Sequence, residues 1–322
     1  MSNLYMYNQH KIIVKNRVLY YEFEIKRNIT IIRGESATGK TTLIEMLQNY
    51  QRAGESSGVT VNSDCPLVVA AEDDWKYRLQ ANPGSIVFVD EGNHFLVTDE
   101  FAAECRKADN YFVLILRDNL PNLPYSAEEI YGIRTSDKYA GLKKVYHELY
   151  RLYGDNEEFV KSDETVVVTE DSNSGYEFFS EMYDNTVLSA DGKSNIVGLM
   201  KKNSEKSMII IADGAAFGAE MEAAMRLISN GINAVLYLPE SFEWIILKSG
   251  ITESSEIADI LEHTEDFADS CEYFSWERFF TSLLVEKTKD SYLRYQKKTI
   301  NPAYLTGKVF NKICDVIPEK IR

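Results

Sequence analysis

The chain has 322 residues, of which 44% are hydrophobic and 26% charged, with a formal net charge of −15. These figures describe a globular protein with room for two ordinary α/β domains. They exclude a general coater of duplex DNA, which must neutralise phosphates with Lys and Arg. Four cysteines (Cys65, Cys105, Cys271, Cys314) and four histidines (His10, His94, His147, His263) are scattered without paired spacing. That spacing argues against a zinc site or a disulfide framework and predicts reduced thiols in a cytoplasmic protein.

Residues 1–17 are polar and charged where a signal peptide needs an apolar core. The strongest apolar runs, at 111–116 and 208–211, are strand length and too short to span a bilayer, so no membrane association is expected. Residues 11–33 read as three strands with polar breaks. The helix that follows, from Thr41, carries Leu43, Met46, Leu47 and Tyr50 on one face. Residues 53–64 are small and polar and read as a loop; PLVVAA is a short strand, and EDDWKYRLQAN a solvent-facing helix. SIVFVDE (85–91) and YFVLILR (111–117) are continuous apolar runs, as expected of parallel strands covered on both faces, with a helix between them. This alternation predicts a doubly wound α/β domain.

Residues 141–164 are rich in Tyr and charge and carry no motif, which places a domain boundary near 155 and gives domains of 1–155 and 156–322. A second α/β series begins at TVVVTE (165–170), continues through MIIIAD (208–213) and NAVLYL (233–238), and is followed by a helical C-terminus. Residues 253–277 hold nine acids and no Lys or Arg, and a basic stretch follows at 287–298; both read as solvated helix faces.

Gly34, Glu35, Ser36, Ala37, Thr38, Gly39, Lys40 and Thr41 fit G-x-x-x-x-G-K-[ST] at every fixed position, between a strand and a helix. Glycines let the backbone aim its N–H groups at phosphate oxygens, and the helix N-terminus adds a positive dipole end. Lys40 is expected on the β- and γ-phosphates, Thr41 on Mg²⁺, and Thr42 near the α-phosphate. The run Ile86–Val89 ends in Asp90, the expected metal-side carboxylate, and in Glu91, the expected general base that polarises the attacking water. The cofactors implied are ATP and Mg²⁺; no Asn-Lys-x-Asp guanine motif occurs, which favours ATP over GTP.

The Asp90-Glu91 pair resembles that of the additional-strand class of P-loop ATPases, which includes the AAA+ and ABC families. The resemblance covers roughly residues 20–135. It implies a polar sensor for the γ-phosphate at the end of the next strand, where Arg117 or Asn119 stands, with Arg117 preferred. An ABC signature loop and an AAA+ lid are not recognisable.

In the second half, Glu170 and Asp213 end neighbouring hydrophobic strands, and carboxylates so placed point into the crevice where open α/β sheets bind ligands. The order is similar to a Toprim domain, the fold of topoisomerases, primases and OLD-type nucleases, in some of which an ATPase precedes it. The resemblance implies that Glu170 is the acid–base or metal-binding glutamate and Asp213 the first metal-binding aspartate. The chain departs from it in reading Asp213-Gly214-Ala215 where Toprim proteins carry Asp-x-Asp; Asp171, Glu220 or Glu222 could compensate. A Rossmann-like domain whose strand-end acids cap helices is the competing reading. Two functions follow: an ATPase whose cycle controls nucleic-acid processing by the second domain, or a nucleotide-dependent switch whose inactive second domain binds a protein partner, either of them open to homo-oligomer formation.

Overall fold

The computed structural model describes residues 9–34, 39–136, 144–154, 159–252, 254–268 and 272–322. Glu35, Ser36, Ala37 and Thr38 of the predicted phosphate loop lie outside the described residues. The protein is mixed α/β, and the chain divides into two compact units: residues 1–153 with 265–274, and residues 154–264 with 275–322.

The first unit runs β1 (His10–Lys15), β2 (Leu19–Ile25), β3 (Ile29–Arg33), α1 (Lys40–Ala53), β4 (Thr60–Asn62), β5 (Leu67–Ala70), α2 (Trp75–Ala81), β6 (Ile86–Val89), α3 (Asp99–Cys105), β7 (Tyr111–Ile115), β8 (Ile130–Thr135) and β9 (Val145–Arg151). Its nine strands form one sheet in the order β4-β1-β2-β9-β8-β3-β7-β6-β5. From β8 to β5 every pairing is parallel. Every residue of β3, β6 and β7 is buried, as a parallel sheet covered on both faces requires. The other end is different: β1 pairs antiparallel with both β2 and β4, and β9 joins β2 in parallel but β8 antiparallel.

Helix α1 buries Leu43, Met46 and Leu47 of the expected face together with Ile44, while Tyr50 is only half-buried. Helix α2 is not purely solvent-facing, because Trp75 and Leu79 are buried and Trp75 stacks on Phe95 at 5.0 Å between ring centroids. Two stretches without an expected element are strands. In 53–64 a short 3₁₀ turn leads into β4, whose three residues, Thr60, Val61 and Asn62, are held by their ladder with β1. In 141–164, β9 is half-covered along its length, so it lacks the in–out alternation that marks a strand in sequence.

The second unit comprises β10 (Val166–Thr169), α4 (Ser174–Met182), β11 (Val187–Ser189), α5 (Ile196–Lys202), β12 (Met208–Ile211), α6 (Gly218–Ser229), β13 (Ala234–Tyr237), α7 (Phe242–Lys248), α8 (Ser255–Glu262), α9 (Trp276–Thr288) and α10 (Gly307–Val316). Its sheet is parallel throughout, in the order β11-β10-β12-β13. Strand β11 and helix α5, which the sequence does not announce, complete the crossover from β10 to β12.

Just beyond β12, Gly214 lies against the chain leaving β13 and donates its N–H to Pro239 O at 2.6 Å. A Cβ there would stand 2.9 Å from that same oxygen and closer still to the Leu238 carbonyl. Both obstacles are backbone and cannot swing aside. Gly214→Ala should therefore destabilise the protein by about 1–3 kcal/mol, read as a lower denaturation midpoint; an unchanged midpoint would contradict this packing.

Candidate functional site

The parallel half of the first sheet converges on one point at the strand C-termini. Gly34 directly follows β3, and Gly39, in the left-handed region at φ 97°, precedes α1. A side chain at Gly39 would meet the Tyr21 hydroxyl at 2.8 Å and His147 Cε1 at 3.3 Å. Glycine is thus required here on two grounds, conformation and space. Tyr21 donates to Gly39 O at 3.0 Å and stacks on His147 with ring centroids 4.5 Å apart, a floor beneath the helix entry that sequence motifs did not reveal.

Lys40 is the first residue of α1 and is buried, its Nζ donating to Gly34 O at 2.6 Å. Burial lowers its pKa, against the pull of the Glu91 carboxylate; Arg117 adds to the lowering and Asp90 opposes it. The lysine, both acids and the arginine therefore share one electrostatic neighbourhood. Thr41 and Thr42 follow in the first turn, with Thr41 exposed.

Asp90 stands one residue past β6, half-buried, with Oδ1 accepting the Glu91 N–H at 2.9 Å. Burial raises its pKa; the Glu91 N–H bond, Lys40 and Arg117 only partly offset this. Asp90 and the exposed Thr41 both offer oxygen donors, the type a hard divalent cation such as Mg²⁺ takes. Glu91 is gripped by Arg117 in a fork, Nε to Oε2 at 2.9 Å and Nη2 to Oε1 at 2.7 Å. The alternative sensor, Asn119, is instead held by the buried Arg33, which also donates to Asp118 O and the Tyr125 hydroxyl. Of the two sensor candidates, Arg117 is the one brought to the acid pair.

The second unit gathers a different set. Glu170 directly follows β10, Asp213 stands two residues past β12, and the Asp213 N–H donates to Glu170 Oε2 at 3.0 Å. A cavity beside them is lined by Thr169, Asp171, Glu243 and Lys297 among others. The position two beyond Asp213 is Ala215, buried, so no second aspartate stands there. Burial, then the neighbouring carboxylates Glu277, Glu170 and Glu243, push Asp213 well above the ordinary range. Besides Glu170 after β10, the carboxylates that act on Asp213 come from α7 and α9. Glu220, by contrast, interacts with Lys193.

Glu243 is 1% exposed and accepts from the Tyr295 hydroxyl at 3.0 Å, which is also 2.6 Å from Ser174 Oγ. Glu277 accepts from Lys297 Nζ at 2.5 Å. Burial works against the Lys297 ammonium, but Glu243, Glu277 and Asp213 outweigh it and raise its pKa. Glu170 is pushed up to about 7 by burial and by Glu277, against the Asp213 N–H and Lys193. A carboxyl group poised near neutrality beside a second acid can hold a divalent cation or move a proton.

Glu170 also makes the protein's stability depend on pH. Its folded pKa lies above the unfolded value near 4.5, so between pH ~4.5 and ~7 the native state binds more protons and stability falls as pH rises. Glu170→Gln should flatten that decline in the apparent melting temperature. An identical slope in both proteins would contradict the assignment.

No helix among the described residues is long and apolar enough to cross a membrane. No protein-family model matches the chain. No curated protein matches it either.

Proposed function

We propose that the first unit binds and hydrolyses ATP with Mg²⁺, and that this cycle controls a Toprim-like second unit acting on nucleic acid. The observation that carries the reading is the convergence of Lys40, Asp90, Glu91 and Arg117 at the C-terminal ends of β3, β6 and β7, behind a sequence that fits the phosphate-loop pattern. Strand order supports it: β7 lies between β3 and β6, one additional strand separating the phosphate loop from the metal-side acid. In the proposed roles, the loop from Gly34 to Thr41 cradles the phosphates, Thr41 and Asp90 hold Mg²⁺, Glu91 activates water and Arg117 senses the γ-phosphate.

For the second unit, support comes from Glu170 and Asp213 at adjacent strand ends, with Glu243 and Glu277 adding carboxylates where the Asp-x-Asp pattern has Ala215. That alanine also favours a second reading, a nucleotide-dependent switch whose second unit binds a protein partner without catalysis.

Calorimetric titration of the full chain with ATP·Mg²⁺ and with GTP·Mg²⁺, beside a phosphate-release assay, tests the first half. The expected result is binding and turnover of ATP in preference to GTP; a folded chain that does neither with either nucleotide would sink the proposal. For the second half, plasmid and single-stranded DNA are incubated with ATP and Mg²⁺ or Mn²⁺. Cleavage lost in Glu170→Ala supports catalysis, whereas intact turnover without cleavage leaves the switch.

A further inference from the structure

A separate cluster lies at the antiparallel end of the first unit's sheet. Residues His10 and Cys65, far apart in sequence, are brought together by strand register. β4 pairs with β1 as Ile13↔Asn62, Val14↔Val61 and Lys15↔Thr60. Continuing that register past Asn62 carries Cys65 opposite His10. At this point His10 Nδ1 lies 2.8 Å from Asp64 Oδ2 and 3.4 Å from Cys65 Sγ. The possible ligand atoms of the three residues all fall within 4.8 Å of one another.

We propose that His10, through Nδ1, together with Asp64 and Cys65, binds a zinc-class divalent cation, with water completing the coordination on the exposed Asp64 side. The ligand types are those that zinc combines, an imidazole nitrogen, a thiolate and a carboxylate. The distances agree. Tetrahedral bonding at about 2.05 Å to nitrogen and 2.3 Å to sulfur sets N···S near ~3.5 Å and N···O near ~3.3 Å. The nitrogen–sulfur separation already matches, and Asp64 needs to withdraw by about half an ångström, which its 54% exposed side chain can do.

Hydrogen bonding points the same way. One Nδ1 proton cannot serve Asp64 and Cys65 equally well, whereas a cation at that point is bonded by all three residues. Cation uptake balances as follows: the Cys65 thiol loses its proton to solvent, the imidazole carries its proton on Nε2, and three protein–metal bonds form. The ring is 1% exposed and set edge-on to Tyr111, with centroids 4.3 Å apart, so packing holds it in place for this role. Such a cation would fasten the chain after β4 to the start of β1, at a sheet edge held otherwise by a three-residue ladder.

The test uses the full-length chain, stripped with chelator and titrated with Co²⁺ as a spectroscopic probe. The expected result is a cobalt–thiolate charge-transfer band saturating at one equivalent, displaced by Zn²⁺ and lost in Cys65→Ser, which leaves the other cysteines intact. Asp64→Asn, at an exposed position, should weaken cobalt binding at least ~10-fold and remove any rise in melting temperature on adding Zn²⁺. A folded wild-type chain with no band at excess cobalt, or an equal band in Cys65→Ser, would overturn the site. If Cys65→Ser does not fold, Asp64→Asn decides, and unchanged cobalt affinity overturns it. None of these outcomes depends on ATP.

Discussion

Replacing Lys40 with alanine should leave a folded chain that scarcely holds ATP. The ammonium sits at the entry to α1, anchored on Gly34 O at 2.6 Å, where the helix dipole favours an anion. Charge-assisted hydrogen bonds of this kind contribute about 1.5–3 kcal/mol, so ATP affinity should fall roughly 10- to 100-fold. Turnover should fall further, about 10²–10³-fold, because charge on the transferring group grows in the transition state. Stability should move the other way or not at all: Lys40 is a buried cation whose pKa burial lowers, and alanine removes that desolvation cost. Calorimetry and a melting curve together separate the two effects. Unchanged ATP affinity in Lys40→Ala would overturn the proposed nucleotide site, whereas loss of both binding and fold would mean that Lys40 is structural.

Glu91→Gln should give the opposite profile, ATP retained and chemistry lost. A glutamine keeps the shape of the side chain but cannot accept a proton from water. General-base catalysis contributes about 10²–10⁴-fold, and turnover should fall by that range. Arg117 binds both Glu91 oxygens, so the proposed base is paired until the arginine finds another anion. The γ-phosphate is such an anion under the proposed roles, which would make the arrival of ATP the event that frees Glu91. Glutamine releases Arg117 permanently, so ATP affinity in Glu91→Gln should be equal to wild type or tighter. Single-turnover hydrolysis and nucleotide binding measured on one preparation check this; wild-type turnover in Glu91→Gln would show that the base lies elsewhere.

What could be read from the sequence follows from how each residue is covered. The strands β3, β6 and β7 are buried on both faces, so their apolar runs stand out, and Asp90 and Glu91 could be placed by counting to the end of one of them. Glycine at position 39 was legible as a motif, but its second reason, the Tyr21–His147 pair against it, depends on β2 and β9 pairing in parallel. Strand β9 itself was hidden because its residues are neither clearly buried nor clearly exposed. At three residues each, β4 and β11 are too short to show a period and exist through the ladders they join.

The second unit repeats the lesson for its site. Glu170 and Asp213 were visible because strand ends are predictable, and Glu243 because it stands just beyond the third strand of the series; Glu277 comes from a later helix, and nothing in helical spacing tells which strand a carboxylate will face. The His10–Asp64–Cys65 cluster escaped for the same reason. Local spacing searches find ligands that share a turn or a helix, and this one is assembled by strand register.

The return of residues 265–274 to the first unit bears on how the protein is made. Within that unit, Glu265 accepts from Lys26 at 3.3 Å, and the Phe274 carbonyl accepts from Asn28 Nδ2 at 3.0 Å. The last strand of the first sheet ends at Arg151, yet the segment that supplies these two acceptors follows only after most of the second unit has been synthesised. At about 5–20 residues per second, that interval is on the order of ten seconds. During it, Lys26 and Asn28 of the nascent first unit lack these two partners. A truncated chain ending near residue 153 would carry the same defect permanently, so the first unit is not a module that can be cut out at a single peptide bond.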